Sequence, residues 1–425
     1  MPRSGADDDT TSCPPRHARR TRDHRVLRGI AFAGTATLLF GVASAVALLQ
    51  RLSSNIDYID VAGLMGGTPP STLPAGATAA GPTTDPDPVD PSGGRAVNIL
   101  VLGSDQRDGA NADIGGEATT MASDTTIVVH ISADRSRVEL VSIPRDSLVD
   151  IPACQASNGT WTEPADDEVF NRAFAFGWEA GGDLASAAAC AGRTVQQNTG
   201  LTIDHFVVVD FVGLQSMVDA IDGVEICIPE HMYDTQIPLD LQPGMQTLRG
   251  YDALQFARSR HNNLGDGSDL ARIGNQQRLL AALVNQVLSR DVLTNPVKLT
   301  GFLSAATSSL TVDNGLSLAT MTGLAYSARS IRSGDIVFMT VPVADSAQEW
   351  GRVVWTSKAT SVWANMAADQ PIPPDVAPPA APQTTAGTTA EPAPGEDPEQ
   401  PDPGQTRRAG REPFTGADTT AVCTG

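Results

Sequence analysis

The sequence predicts an α/β protein with a mixed central sheet covered by helices on both faces, preceded by one transmembrane helix. Two patterns carry this prediction. Short apolar runs rich in β-branched residues alternate with longer stretches of helical period, and an uncharged run of 21 residues, GIAFAGTATLLFGVASAVALL, stands between Gly29 and Leu49. As a helix that run spans roughly 30 Å, about the hydrocarbon thickness of a bilayer.

Residues 1–28 hold seven arginines against four acids and no apolar periodicity, and are expected as a basic cytoplasmic arm. The span follows over 29–50. Arginines precede it and only Arg51 follows closely, so the excess of positive charge places the N-terminus in the cytoplasm and the rest of the chain outside the cell. A cleaved secretory signal is the competing reading, since Ala43-Ser44-Ala45 offers a small-residue site. The apolar region of such signals runs only about 7 to 15 residues, which favours the anchor.

Residues 51–94, rich in Pro, Thr and Gly, predict a flexible extracellular linker, and 369–425 a Pro-rich disordered tail. The globular part is expected over 95–368. Its strands are predicted at 97–102, 125–131, 137–143, 205–209, 224–228 and 335–341, its helices at 183–199, 211–221, 250–257, 272–290 and 315–331. That alternation makes the layered α/β sheet. Four of the five cysteines, Cys154, Cys190, Cys227 and Cys423, fall on the extracellular side without CxxC spacing, so two disulfides are expected and three pairings stay open.

Composition excludes several function classes. The 425 residues carry 29 basic and 49 acidic groups, a formal charge of −20, which argues against a nucleic-acid partner. There is no GxSxG elbow, phosphate-binding GxxxxGK[ST] loop or HExxH pair, and the six histidines lack ligand spacing. His130 and His205 are expected as ordinary strand residues.

What remains is a set of acidic and arginine-bearing segments at the ends of strands and helices, where α/β proteins place their sites. NILVLGSDQR (98–107) puts Asp105 and Arg107 after a strand, SDTTIVVHI (123–131) opens a strand with Asp124, and SIPRDSLVDIP (142–152) places Arg145 and Asp146 after another. FARSRHNNLGDGSDLARIGNQQR (256–278) sets Arg258 and Arg260 at a helix exit. Asp269 follows at an expected N-cap, with Arg272 and Gln276 beyond it. Taken singly, each is a common turn, cap or surface ion-pair residue. Together, arginine forks and two carboxylates suit a phosphate group and a hard divalent cation such as Mg2+, with Asp105 and Asp124 as oxygen ligands.

These segments, with NRAFAFGWEAGG and DHFVVVDFVGLQSMVDAIDGVEICIP, resemble the LytR-CpsA-Psr family of bacterial envelope enzymes over about residues 95–345. The cysteine placement and the scarcity of lysine, limited to Lys298 and Lys358, resemble actinobacterial members. The resemblance implies an α/β/α fold with an apolar tunnel for a polyprenyl chain. It also implies a phosphotransferase that moves a glycopolymer from a polyprenyl pyrophosphate carrier to a wall acceptor, commonly peptidoglycan.

Carried over by position, the resemblance makes Asp105 and Asp124 ligands of Mg2+, makes Arg145, Arg258, Arg260 and Arg272 a clamp on phosphate oxygens, and gives Gln276 a further hydrogen bond. Arg145, Arg258, Arg260 and Asp124 are thereby the catalytic expectations, and Arg107 and Asp146 are adjoining candidates. Two departures thin the clamp, because Ala122 and Asn275 stand where many relatives have arginine. The glycine-rich stretch from Asp105 to Asp124 is expected as a mobile lid. A hydrolase of the same carrier and a non-catalytic envelope regulator or glycan-binding scaffold are the alternative functions. The glycan, the acceptor and the proton-accepting group are left open.

Overall fold

The computed structural model describes residues 43–44, 46–66, 88–104, 121–373 and 410–418, with Leu293 as backbone only. Residues up to Ser54 form a unit of their own, whose described part is helical. Most of the expected membrane span, 29–50, lies outside the described residues, and among those described no helix is long and apolar enough to cross a membrane.

From Asn55 onward the chain builds one 8-stranded sheet. Its middle is formed by β2 (Val97–Ser104), β3 (Ser123–Ile131) and β4 (Val138–Ile143), joined as antiparallel neighbours. On one side β7 (His205–Val209) runs parallel to β2, followed by antiparallel β12 (Leu310–Asp313) and, at the edge, parallel β1 (Asp57–Ile59). On the other side β13 (Ile336–Thr340) runs parallel to β4, and β16 (Phe414–Thr415) closes the opposite edge.

Period-2 alternation decides which side chains meet which layer. Leu100, Leu102, Val128, Val141, Phe206 and Val208 point to one face, against α1 (Asn171–Gly181), α2 (Leu184–Thr199) and α9 (Ser357–Ala367). The alternate residues Val97, Ile131, Ile336 and Phe338 point to the other. There they meet Leu324 of α8 (Leu318–Ser327) and Ala281 of α5 (Asp269–Val287). Both faces are covered, as expected. Helix α2 packs so closely because of its small residues, and Gly192 accepts the ring of Phe206 where a Cβ would lie 2.6 Å from it. The Cys154–Cys190 disulfide ties this helix to the segment after β5 (Leu148–Ile151), which pairs with β6 (Ala165–Val169).

A second apolar cluster lies beside the sheet. It joins α3 (Phe211–Ala220), the ribbon of β8 (Val224–Ile228) with β11 (Gly244–Leu248), α4 (Gly250–Arg258) and one face of α5, and includes Val218, Ile226, Phe256 and Leu279. The 224–228 run thus forms a strand as expected, but in this ribbon rather than in the central sheet. Between β8 and β11 lie β9 (Met232–Tyr233) and β10 (Asp240–Leu241), and α6 (Arg290–Leu293) and α7 (Pro296–Thr307) follow α5. A short hairpin of β14 (Val343–Asp345) with β15 (Val353–Trp355) precedes α9.

The spacer expectations are corrected at their domain-facing ends. Residues 55–66 and 88–94 pack: Ile56 and Val61 are buried, and the Asp90 carboxylate, nearly buried, binds Arg135 at 2.9 Å and Ser327 at 2.7 Å. Three residues of β1 carry too little pattern to stand out from a Pro/Thr-rich stretch. In the tail, 410–418 return to the sheet, with Phe414 stacked on Phe338 at 5.4 Å between ring centroids. Cys227 is disulfide-bonded as well, to a partner outside the described residues.

Candidate functional site

Strand polarity gathers the candidate residues at one end of the sheet. Because β3 is antiparallel to β4, the start of β3 and the end of β4 lie together, with Thr126 opposite Ile143. At the same point β2 ends. Gly103 pairs with Thr125 and Ser104 with Ser123, so Asp124 is the extra residue of a β-bulge. Bulges re-aim the side chain they carry, and this one requires Gly103, where a Cβ would sit 2.9 Å from that of Thr125.

Arg145 follows β4 and reaches across to the bulge. Its Nη1 donates to Asp124 Oδ1 at 2.8 Å, and its backbone N–H donates to Asp269 Oδ2 at 3.2 Å. Helix α5 begins here. Ser268, whose side chain accepts from the Ala271 N–H, is the N-cap, so the expectation of Asp269 as cap is corrected by one position. Freed from capping, Asp269 turns inward and lies 2.5 Å from Arg272 Nη2 and 3.7 Å from Arg145 Nε. Arg272 also donates to the Asp124 carbonyl at 2.8 Å and lies 3.5 Å from Asp124 Oδ2. Two arginines and two aspartates therefore form one closed cluster.

Burial divides the labour within it. The Asp269 side chain is 4% exposed and that of Asp124 33%. Burial pushes the Asp269 carboxyl above its ordinary value, with Arg272 and Arg145 pulling the other way. For Arg145 burial works to lower the pKa, but Asp124, Asp269 and Asp146 outweigh it and hold the guanidinium above its ordinary value. Asp269 thus holds the two cations apart and in place. Asp124 is the carboxylate open to an incoming group. The Nε–H groups of Arg145 and Arg272 are buried without a hydrogen-bond acceptor among the described residues, that of Arg145 lying 3.7 Å from both Asp146 and Asp269. Asp146 is held by Arg352 in an ion pair that the sequence did not announce.

Arg258 and Arg260 stand at the end of α4 and face different elements. Arg258 lies over the Phe211 ring, 4.8 Å from its centroid. Arg260 Nε donates to the Gly267 carbonyl at 2.9 Å, and Ser259 between them accepts from Asn275 Nδ2 at 3.3 Å. Since Asn275 is one turn beyond Arg272, the pair flanks the second turn of α5. Asn275 thus binds backbone where many relatives are expected to carry a charge. Gln276 is half-buried one turn beyond Arg272, on its side of the helix. Asp105, Arg107 and most of the expected lid lie outside the described residues.

Neighbouring Gln277 is 1% exposed and binds Ser142 at 3.0 Å and Thr340 at 3.3 Å, fastening α5 to β4 and β13. A cleft of about 410 Å³ lies beside it, walled by Leu270, Val341, Val343, Lys358 and Arg411. His130 and His205 are buried in strands as expected, on Asn98 at 2.8 Å and Asp313 at 3.2 Å respectively.

A model of the LytR_cpsA_psr family matches residues 76–369. The chain belongs to the LytR-CpsA-Psr family. It is 33% identical over 291 residues to the cell wall biosynthesis protein LcpA of Corynebacterium glutamicum, covering 63% of this chain and 54% of that protein. The probable cell wall biosynthesis protein LcpB of the same organism is 35% identical over 263 residues, covering 59% and 55%. The chain spans about half the length of these curated relatives.

Among solved structures, a Streptococcus agalactiae protein superposes with a TM-score of 0.50 at 18% identity, over 66% of this chain and 90% of that one, and supports the fold. A LytR-Csp2A-Psr enzyme from Actinomyces oris covers 73% of this chain and 96% of its own, at 21% identity and a TM-score of 0.48. The likeness to the two Corynebacterium glutamicum proteins agrees with the cysteine and arginine bias of the sequence.

Among the described residues no group of three or more His, Cys, Asp or Glu side chains is placed to hold a metal. Asp124, 33% exposed, offers a partly open carboxylate beside the arginines. A carboxylate of this kind suits a hard cation that keeps its waters and shares phosphate oxygens.

Proposed function

We propose that the protein transfers a glycopolymer from a polyprenyl pyrophosphate carrier to a cell-wall acceptor such as peptidoglycan, forming a phosphodiester outside the membrane in which it is anchored. The cluster of Arg145, Arg272, Asp124 and Asp269 carries this reading. Membership of the family and two relatives named for cell wall biosynthesis support it. The expected apolar tunnel for the prenyl chain, the Mg2+ dependence and the glycan carrier belong to the same proposal.

In this reaction an acceptor hydroxyl attacks the glycan-linked phosphorus, the phosphoanhydride bond breaks, and prenyl phosphate leaves. The chain supplies position and charge. Arg145 and Arg272 bring guanidinium charge to the phosphoryl oxygens at the half-exposed Asp124, and Arg258 and Arg260 hold the leaving phosphate, so charge is met where it develops. Asp269 keeps both arginine forks oriented. Asp124, with Asp105, would hold Mg2+, which supplies neutralisation of the pyrophosphate when bound.

The test incubates the full-length chain with a short-chain glycosyl prenyl pyrophosphate, with and without Mg2+, beside an Arg258→Ala/Arg260→Ala control, and follows phosphorus-containing products. Metal-dependent release of prenyl monophosphate, lost in the control, is the expected result. Transfer to an added peptidoglycan fragment separates the proposed transferase from a hydrolase. No turnover by a folded chain would favour the scaffold alternative.

A further inference from the structure

Beyond Pro373 the described chain resumes at Gly410, in direct contact with the helix that carries Asp269 and Arg272. Gly410 is buried with φ of +86°, and a Cβ there would lie 2.0 Å from the Leu270 carbonyl oxygen and 2.9 Å from the Gly274 nitrogen. Only glycine fits that seat. Its N–H donates to Gln277 Oε1 at 3.3 Å, and the same Gln277 amide holds Ser142, three residues before Arg145, at 3.0 Å. The returning segment thereby meets a side chain fastened both to α5 and to the strand that aims Arg145.

The next residue extends the grip to the 258–268 turn. Arg411 pairs with Asp266, Asp266 Oδ1 accepts the Ser268 N–H at 2.9 Å, and Gly267 between them accepts Arg260 Nε at 2.9 Å. Both partners of the Arg411–Asp266 pair are about half exposed, so the pair directs the loop more than it stabilises the protein. The anchor lies further along. Phe414, 5% exposed, enters the sheet edge opposite Phe338, and Asn285 of α5 donates to the Gly416 carbonyl at 2.7 Å. The returning segment thus meets α5 from its first turn to its last, its capping loop and β13.

We propose that residues 410–418 are a positioning element for the reaction site, holding α5 and the 258–268 turn where Arg272, oriented by Asp269, and Arg260 meet the pyrophosphate. The inference rests on the function proposed above for its kinetic part and on the structure alone for its mechanical part. Gly410 seats the segment. Arg411 transmits that seat to Arg260 through Asp266 and Gly267. Neither residue touches the reacting atoms.

The experiment uses the full-length chain with three variants, Gly410→Val, Arg411→Ala and Arg411→Lys. It combines hydrogen exchange with turnover of the short-chain glycosyl prenyl pyrophosphate. In Gly410→Val, exchange of amides 261–277 is expected to accelerate by about tenfold or more while α2 stays within about twofold of the parent. The kcat is expected to fall roughly 10- to 100-fold with KM changed by less than about threefold, as misplacement of the clamp requires. Arg411→Ala moves both readouts the same way by a smaller factor, and Arg411→Lys restores most of the loss.

Exchange over 261–277 and kcat both unchanged in Gly410→Val would overturn the proposal. So would acceleration spread equally over α2 combined with an Arg411→Ala variant that behaves as the parent, since that marks general destabilisation. A parent chain without turnover would defeat the functional reading, and the exchange pattern alone would then decide the mechanical one.

Discussion

Arg145 is the residue on which most of the site converges, since it touches the bulge, the start of α5 and, through Asp146, the 346–352 loop. Replacing it with alanine removes a fork and leaves Asp269 buried beside a single cation. Turnover of the prenyl pyrophosphate is expected to drop on the order of 10²- to 10³-fold, and Arg145→Lys to recover little because an ammonium cannot reproduce the fork; parent-like activity in Arg145→Ala would remove it from the mechanism. The sequence announced Arg145, Asp124 and Arg272 by their place after strands and on a helix. It hid the part played by Asp269, because an acid at a helix start reads as a cap and only tertiary packing shows Ser268 taking that duty. Spacing did hold a signal, for residues three apart on a helix meet on one face.

A second residue carries a pH consequence. Burial lowers the pKa of His130 below its ordinary value, and Arg137 acts in the same direction against the opposing pull of Asp369. With the folded value depressed, the neutral ring contributes stability that is present above about pH 6.5 and is lost as pH falls through the folded pKa. The melting temperature of the protein is expected to fall between pH 7 and pH 5 by more than that of His130→Gln. Parallel pH profiles for the two would contradict the assignment.

At the scale of elements, the bulge between β2 and β3 is what brings a carboxylate to the arginines. Gly103→Ala forces the two strands apart at the contact with Thr125, a repacking that costs roughly 1–3 kcal/mol. Because the shift falls on Asp124, activity is expected to fall further than the accompanying loss of thermal stability accounts for. Activity assayed well below the melting temperature, beside a thermal melt, separates the two effects. Strands β2, β3, β4, β7 and β13 and helices α2, α3, α4 and α5 were readable because each is long enough to show its period. Strands β1, β12 and β16 span four residues or fewer, and α1 hides its face among alternating Ala and Phe. No local pattern distinguishes such elements, which exist only because a neighbour is there to pair with.

At the scale of the whole molecule, the layered α/β class follows from the alternation of elements, and the acidic balance of −20 is compatible with the proposed anionic substrate because arginines concentrate at one sheet end. The boundaries were less legible. Chain on either side of 95–368 supplies β1 and β16, the outermost strand at each end of the sheet. Along β12 residues 311–313 pair with β1, and along β13 Val337 and Phe338 pair with β16, so short strands of the protein's own chain cover these flanks in part. A protein cut to residues 95–368 would present two bare ladders, each a template for another chain. Sedimentation velocity is expected to show that piece assembling with itself while residues 55–425 stay single, so the segments outside the family core act as selvedges that keep copies of this sheet from being stitched together.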